Sequence, residues 1–254
     1  MRTVNTYIGS PVERVEDDRF LRGAGQYTDD LKREGMWRAV VLRSPVGHGR
    51  IKSLDVSAAL AMPGVRAVLT AADIEGDIPT IPFRRPNPTI GPYAQPVIAR
   101  EKVRYYGEPV ALVLADEHEL AEDALAAIRL EIEPLPAVVD RATGMGKDVL
   151  LFERMGKNVA SVFEADRGKR EETEAAFAQP GLVLVRGQFS TQRQTAMPME
   201  PRGLLAEWDE KRRHLTMSGA AKLPFFNRQT MAKMMGLPRS EEHTSELQSH
   251  SFIS

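Results

Sequence analysis

One uninterrupted passage constrains this chain more than any other: Lys102 to Asp140, KVRYYGEPVALVLADEHELAEDALAAIRLEIEPLPAVVD. It contains Pro109-Val-Ala-Leu-Val-Leu-Ala115, an apolar run rich in Val and Leu whose length suits a buried strand. Asp116, with Glu119 three residues on, is an acidic version of the helix-start signal. Leu120, Ala121, Ala124, Leu125 and Ile128 then fall on one helical face. Leu130-Glu-Ile-Glu133 alternates with period two, and Pro134 and Pro136 end the regular structure. The pattern predicts strand, helix, strand in one compact α/β piece. Periodicity alone does not separate this from a generic βαβ unit.

The residues themselves carry more. KVRYYGEPVALVLA, AEDAL and EIEPLPAVVD closely resemble the molybdenum-binding large subunits of the xanthine dehydrogenase/aldehyde oxidase family, on the side of the aerobic carbon monoxide dehydrogenase large-subunit-like proteins. Two further blocks match in the same order: IKSLDVSAALAMPGVRAVLTAAD from Ile51, and QFSTQRQTAMPMEPRGLLAEW from Gln188, with Met199-Glu-Pro-Arg-Gly203 as its core. The resemblance covers most of residues 7–238. It implies an α+β fold: a lead-in at 1–22, an a/b hammerhead domain at 23–141, a linker at 142–157, and the start of a first molybdopterin-binding domain at 158–238.

The resemblance also implies a function. The parent would be an oxidoreductase using molybdopterin in its cytosine dinucleotide form. It would hydroxylate an aldehyde or heterocycle with oxygen from water, or oxidise CO. Electrons would pass to [2Fe-2S] clusters on a small subunit and FAD on a medium subunit, in a dimer of heterotrimers. The family's catalytic glutamate lies beyond the matched stretch, so no catalytic residue is assigned. One cofactor contact is implied. Counting back from Gly236, Lys222 aligns with a glutamine whose amide donates to an oxo ligand of molybdenum in many members. A lysine there offers three donors and a full charge, at a desolvation cost unless an anion pairs with it. A register slip of one or two residues would instead put Lys222 on the surface. The alternative function is a non-catalytic hammerhead module that binds partner subunits.

Charge and cysteine usage narrow the classes. The net charge is −1, from 34 Lys+Arg against 35 Asp+Glu, which favours neither nucleic acid nor an anionic membrane. With no cysteine, the chain holds no disulfide, thiolate nucleophile or Cys-ligated cluster, so any iron–sulfur centre sits on another chain. No apolar run is long enough for a membrane span, and the N-terminus is too polar for a signal peptide. A cytoplasmic protein is the expectation.

Elsewhere the bland readings prevail. Gly23-Ala-Gly25 lacks the third glycine and the helix of a phosphate loop, and reads as a turn. His48, between two glycines, has no ligand partners at metal spacing and reads as a solvated or hydrogen-bonded loop histidine. Arg84-Arg85 lies in the Pro-rich stretch 75–96, an exposed loop. Glu200 and Arg202 read as a structural ion pair or hydrogen-bonded turn before an acid/base pair. Strands are predicted at 36–43, 51–56, 65–70, 182–185, 204–208 and 214–218, and the resemblance implies another at 158–164. Helices are predicted at 58–62, capped by Ser57, at 171–179, and at 225–235, whose methionines read as core packing. Back-translated in one frame, Arg239 to Ser249 spells the common adapter of short-read DNA libraries, so 239–254 is expected to be a sequencing artefact.

Overall fold

Val110, Ala111, Val113 and Ala115 are fully buried, because the strand carrying them lies at the centre of a sheet. The computed structural model describes residues 11, 13–83, 87–191, 194, 197, 199, 202–220 and 223–237. In chain order its elements are α1 (Asp17–Leu21), β1 (Arg38–Arg43), β2 (Gly49–Asp55), α2 (Ser57–Leu60), β3 (Val65–Thr70), β4 (Lys102–Val103), β5 (Pro109–Ala115), α3 (His118–Ala127), β6 (Arg129–Pro134), α4 (Arg141–Met145), α5 (Arg170–Phe177), β7 (Leu204–Asp209), β8 (His214–Gly219) and α6 (Pro224–Met234). They fall into two units: Trp37–Met199, and Met1–Met36 taken with Glu200–Ser254.

The larger unit holds two antiparallel three-stranded sheets, ordered β1-β5-β3 and β4-β2-β6. Strand alternation divides β5 between two cores. Ala111, Val113 and Ala115 join Ala59, Val68, Ala121, Ala124 and Ile128 under α3. Val110, on the other face, joins Ala99 and Val103, with Ile51, Leu130 and Ile132 packed around them. Leu54 packs against both cores. The five residues read as the inner face of α3 all contribute to the first core.

The strand–helix–strand order is present, but not as one sheet-bound unit: β5 and β6 lie in different sheets. Both hydrogen-bonding edges of β5 are taken by β1 and β3, so β6 pairs with β2 instead. The α+β class follows from these all-antiparallel sheets.

Two helix caps differ from expectation. Asp116 does not cap α3, whose N-cap is Glu117 without a side-chain bond. Its carboxylate instead takes both forks of Arg66, Nε at 2.7 Å and Nη2 at 2.8 Å, tying the ends of β3 and β5 together. Ser57 does not cap α2. It is itself held by Asp55, whose Oδ1 accepts from Ser57 N at 3.0 Å and Oγ at 2.6 Å.

The stretch 141–158 is more ordered than a linker without period. It contains α4, capped by Asp140 accepting from Thr143 N at 2.9 Å, and a 3-10 turn at Glu153–Met155 that ends on Gly156 at φ +63°. The strands expected at 158–164 and 182–185 do not form. Every residue from 162 to 191 is exposed, and no described strand lies beside them to complete a ladder. α5 forms on its acidic first turn and buries nothing.

In the second unit β7 and β8 form the expected hairpin, Leu204 opposite Gly219 and Asp209 opposite His214. Arg33 Nε donates to Glu207 Oε1 at 2.7 Å, so the segment before β1 is tied to this hairpin. Gly203 permits the approach of Thr28, whose Cγ2 would lie 2.8 Å from a Cβ there. α6 ends at Gly236, φ +62°. It buries no residue, so its methionines do not form a core as expected. The described part of this unit has one two-stranded hairpin, too little apolar surface to cover a helix face.

Candidate functional site

Lys222 and Glu200, two of the residues singled out from sequence, lie outside the described residues, as do Arg84, Arg85 and the segment 238–254. Arg202 is exposed. His48 is buried rather than solvated, at 4% exposure. Its Nδ1 lies 2.6 Å from the Pro136 carbonyl. A carbonyl only accepts, so Nδ1 carries the proton. Burial holds the imidazole below its ordinary pKa, against the pull of that carbonyl, and the positive charge of Lys102 adds to the lowering. Among the described residues no group of three or more His, Cys, Asp or Glu is arranged to hold a metal.

The polar network that the described residues do assemble centres on β4. Lys102, in β4, and Arg104, one residue past its end, flank the fully buried Val103. Lys102, only 7% exposed, donates to the Leu150 carbonyl at 2.9 Å and to Glu153 Oε1 at 2.5 Å. Arg104 donates from Nε to the Leu151 carbonyl at 3.0 Å and from Nη1 to Lys102 O at 3.2 Å. Its guanidinium lies 4.8 Å from the Phe152 ring centre, a cation–π distance. Tyr93 meets the same ring edge-on at 5.6 Å and donates to the Lys157 carbonyl at 3.0 Å. Asn158 closes the segment on itself, donating to Val149 O and accepting from Leu151 N. Residues 149–158 are thus clamped to the β4 side of the sheet. Burial raises Glu153, but the Lys102 hydrogen bond and the nearby positive charges hold it net below the usual carboxylate range.

Beneath this clamp the turn Tyr105-Tyr106-Gly107-Glu108 folds back, with Gly107 at φ +86°. Ser44 N donates to Glu108 O and Gly107 N to Ser44 O, both at 2.9 Å. The Glu108 side chain is fully buried, and its Oε2 accepts from Arg104 N. A carboxyl so enclosed has no route to a ligand; it closes the turn. Sequence reasoning missed this network. Its one signal was the alternation Lys-Val-Arg ahead of a buried strand, two cations flanking an apolar residue.

Two family models match the chain in sequence order. Residues 22–136 match the aldehyde oxidase and xanthine dehydrogenase a/b hammerhead domain, and residues 151–243 the molybdopterin cofactor-binding domain. The chain is 34% identical over 248 residues to the carbon monoxide dehydrogenase large chain of Afipia carboxidovorans, covering 93% of this chain and 30% of that one. It is 37% identical over 236 residues to the nicotine 6-hydroxylase large subunit of Paenarthrobacter nicotinovorans, covering 92% and 28%. The structure is similar to quinoline 2-oxidoreductase from Pseudomonas putida 86, with TM-score 0.76 and 34% identity over 91% of this chain and 29% of that one. The chain therefore spans about 30% of the length of these relatives. With both domain types matched in order, the chain belongs to the aldehyde oxidase/xanthine dehydrogenase family of molybdopterin-binding large subunits.

Proposed function

We propose that this chain supplies the hammerhead domain and the opening of the first molybdopterin-binding domain of a molybdenum hydroxylase-type oxidoreductase. The ordered pair of family matches, at 22–136 and 151–243, carries this reading. Domain limits of 23–141 and 158–238, with 142–157 between, belong to the same proposal. The whole subunit would oxidise CO or hydroxylate an aldehyde or heterocycle with oxygen from water. Names among the relatives span carbon monoxide, nicotine, nicotinate and xanthine, which supports the reaction class without choosing a substrate.

Molybdopterin, as the cytosine dinucleotide, supplies the redox chemistry in this proposal. The described residues alone do not form its cradle: Lys222 is outside them, and Arg202 is exposed. What these residues do is structural: the β4 network holds 149–158 against the hammerhead sheets. A small [2Fe-2S] subunit and an FAD-binding medium subunit complete the proposed dimer of heterotrimers. Relatives named as large chain, large subunit or complex subunit gamma support a multi-subunit assembly. Neither nucleic acid nor membrane belongs to it, and cytoplasmic residence is part of the same proposal.

The test measures molybdenum. The 254-residue chain, purified from a molybdenum-replete host, is expected to hold no stoichiometric metal and to show no dehydrogenase activity. In a full-length gene built around it, metal content returns. There Lys222→Gln and Lys222→Ala are expected to change occupancy or turnover; wild-type values in both would remove Lys222 from the site. A second reading, a binding module without catalysis, is favoured by the exposure of Phe163 at 80%, Val183 at 88%, Val185 at 87% and Phe189 at 92%. A full-length protein that assembles with its partners yet stays metal-free selects this second reading.

A further inference from the structure

Four cations line one cleft of about 520 Å³ in the larger unit: Arg50, Arg100, Lys102 and Arg104. Only two carboxylates, Glu101 and Glu153, line it with them. Elsewhere in the fold arginine and lysine face carboxylates singly, as in Arg66 with Asp116 and Lys52 with Glu133. Here the partners are largely carbonyls. Arg100 Nη2 donates to Ala71 O at 2.9 Å and Ile74 O at 3.1 Å. Arg104 donates to Leu151 O and Lys102 O. Carbonyl partners fix a guanidinium in place and leave its charge uncompensated.

Donors remain available. Lys102 has three and uses two; Arg104 has five and uses two. Arg50 is exposed; its side chain forms no hydrogen bond or ion pair with the described residues, and the carboxylate its charge acts on is that of Glu133, its cross-strand neighbour, already paired with Lys52. Three arginines and a buried lysine suit an oxyanion with several acceptor oxygens, because the planar fork makes paired bonds to such groups. The rest of the cleft is apolar, formed by Ile78, Pro96 and Ile98. A bare phosphate would leave that wall and most of the volume unused, since small-ligand sites of this size hold a whole organic molecule.

We propose that this cleft binds a small organic phosphate of mononucleotide size, its phosphate among Arg50, Lys102 and Arg104 and its ring against Ile78, Pro96 and Ile98. Glu153, which lines the cleft and pairs with Lys102, is the opposing charge in the site. The proposal rests on the larger unit alone and is independent of the molybdenum reading.

Titration calorimetry of the full chain at about 150 mM salt, where loose surface attraction is strongly screened, uses inorganic phosphate and AMP as probes. AMP is expected to saturate one site and to bind more tightly than phosphate. Arg50→Ala should weaken AMP about tenfold with the thermal midpoint little changed, since the exposed Arg50 side chain makes no hydrogen bond or ion pair with the described residues. Glu153→Gln keeps an acceptor for Lys102 and removes the opposing charge, so it should tighten AMP several-fold. Equal affinity for AMP and phosphate overturns the organic-phosphate assignment. Unsaturable heats, or wild-type affinity in both variants, overturn the site.

Discussion

At Glu108 a fully buried carboxyl accepts from the Arg104 backbone with one oxygen, and the other oxygen finds no partner among the described residues. Burial pushes its pKa up; the Arg104 backbone donor and guanidinium charge oppose and do not cancel it. The protonated form is therefore favoured by folding. This contribution is complete below the unfolded carboxylate pKa and is lost as pH rises through the folded value. Glu108→Gln removes the titration while retaining an acceptor. Its urea midpoint relative to wild type should be more favourable at pH 8 than at pH 5. An equal difference at both pH values would mean that Glu108 does not titrate across that range. Glu108→Ala, which orphans the Arg104 N–H, should cost about 1–3 kcal/mol at either pH.

At the scale of elements, the seam between β2 and β6 depends on Gly49. A Cβ there would sit 2.4 Å from Ile132 Cγ2 and 2.9 Å from the Glu133 carbonyl. One is a methyl of a β-branched core residue and the other is backbone, so neither yields cheaply. Gly49→Ala should cost about 1–3 kcal/mol, read as a lower urea midpoint at constant slope. Gly47→Ala is the control: its Cβ would meet Ala137 at 3.6 Å, an ordinary contact. Equal losses at the two glycines would show that close approach is not the cause. The sequence marked both as loop glycines around His48, and nothing local separates them. What separates them is β6, eighty residues along the chain, lying against one and not the other.

At the scale of the molecule, the described residues divide into a well-packed stretch and an uncovered one. Residues 162–191 are all exposed, whereas 102–134 supply most of both hydrophobic cores. Limited proteolysis should cut first within 162–191 and leave a fragment containing residues 37–159, identified by mass. Cuts between β5 and β6 at a comparable rate would contradict this packing. The clamp of Lys102 and Arg104 onto Leu150 and Leu151 is the reason the resistant fragment extends past α4.

The sequence alone determined what depends on neighbours within a few turns of chain. β5, the inner face of α3, the β7–β8 hairpin and the glycine stop of α6 are local patterns, and each lies where its period and punctuation put it. The matched blocks determined the family on the same basis, as residues in a fixed order. Tertiary structure decided the rest. It sent β6 to the second sheet because β5 had no free edge. It gave Asp116 to Arg66, fifty residues away, instead of to a helix end. It left 158–164 and 182–185 without ladders, since an apolar run becomes a strand only where another strand supplies hydrogen-bond partners. It also brought Arg50 beside Arg100, Lys102 and Arg104, from two separate segments, into one cleft. Charges far apart in sequence share a field only after the backbone has brought them within a screening length.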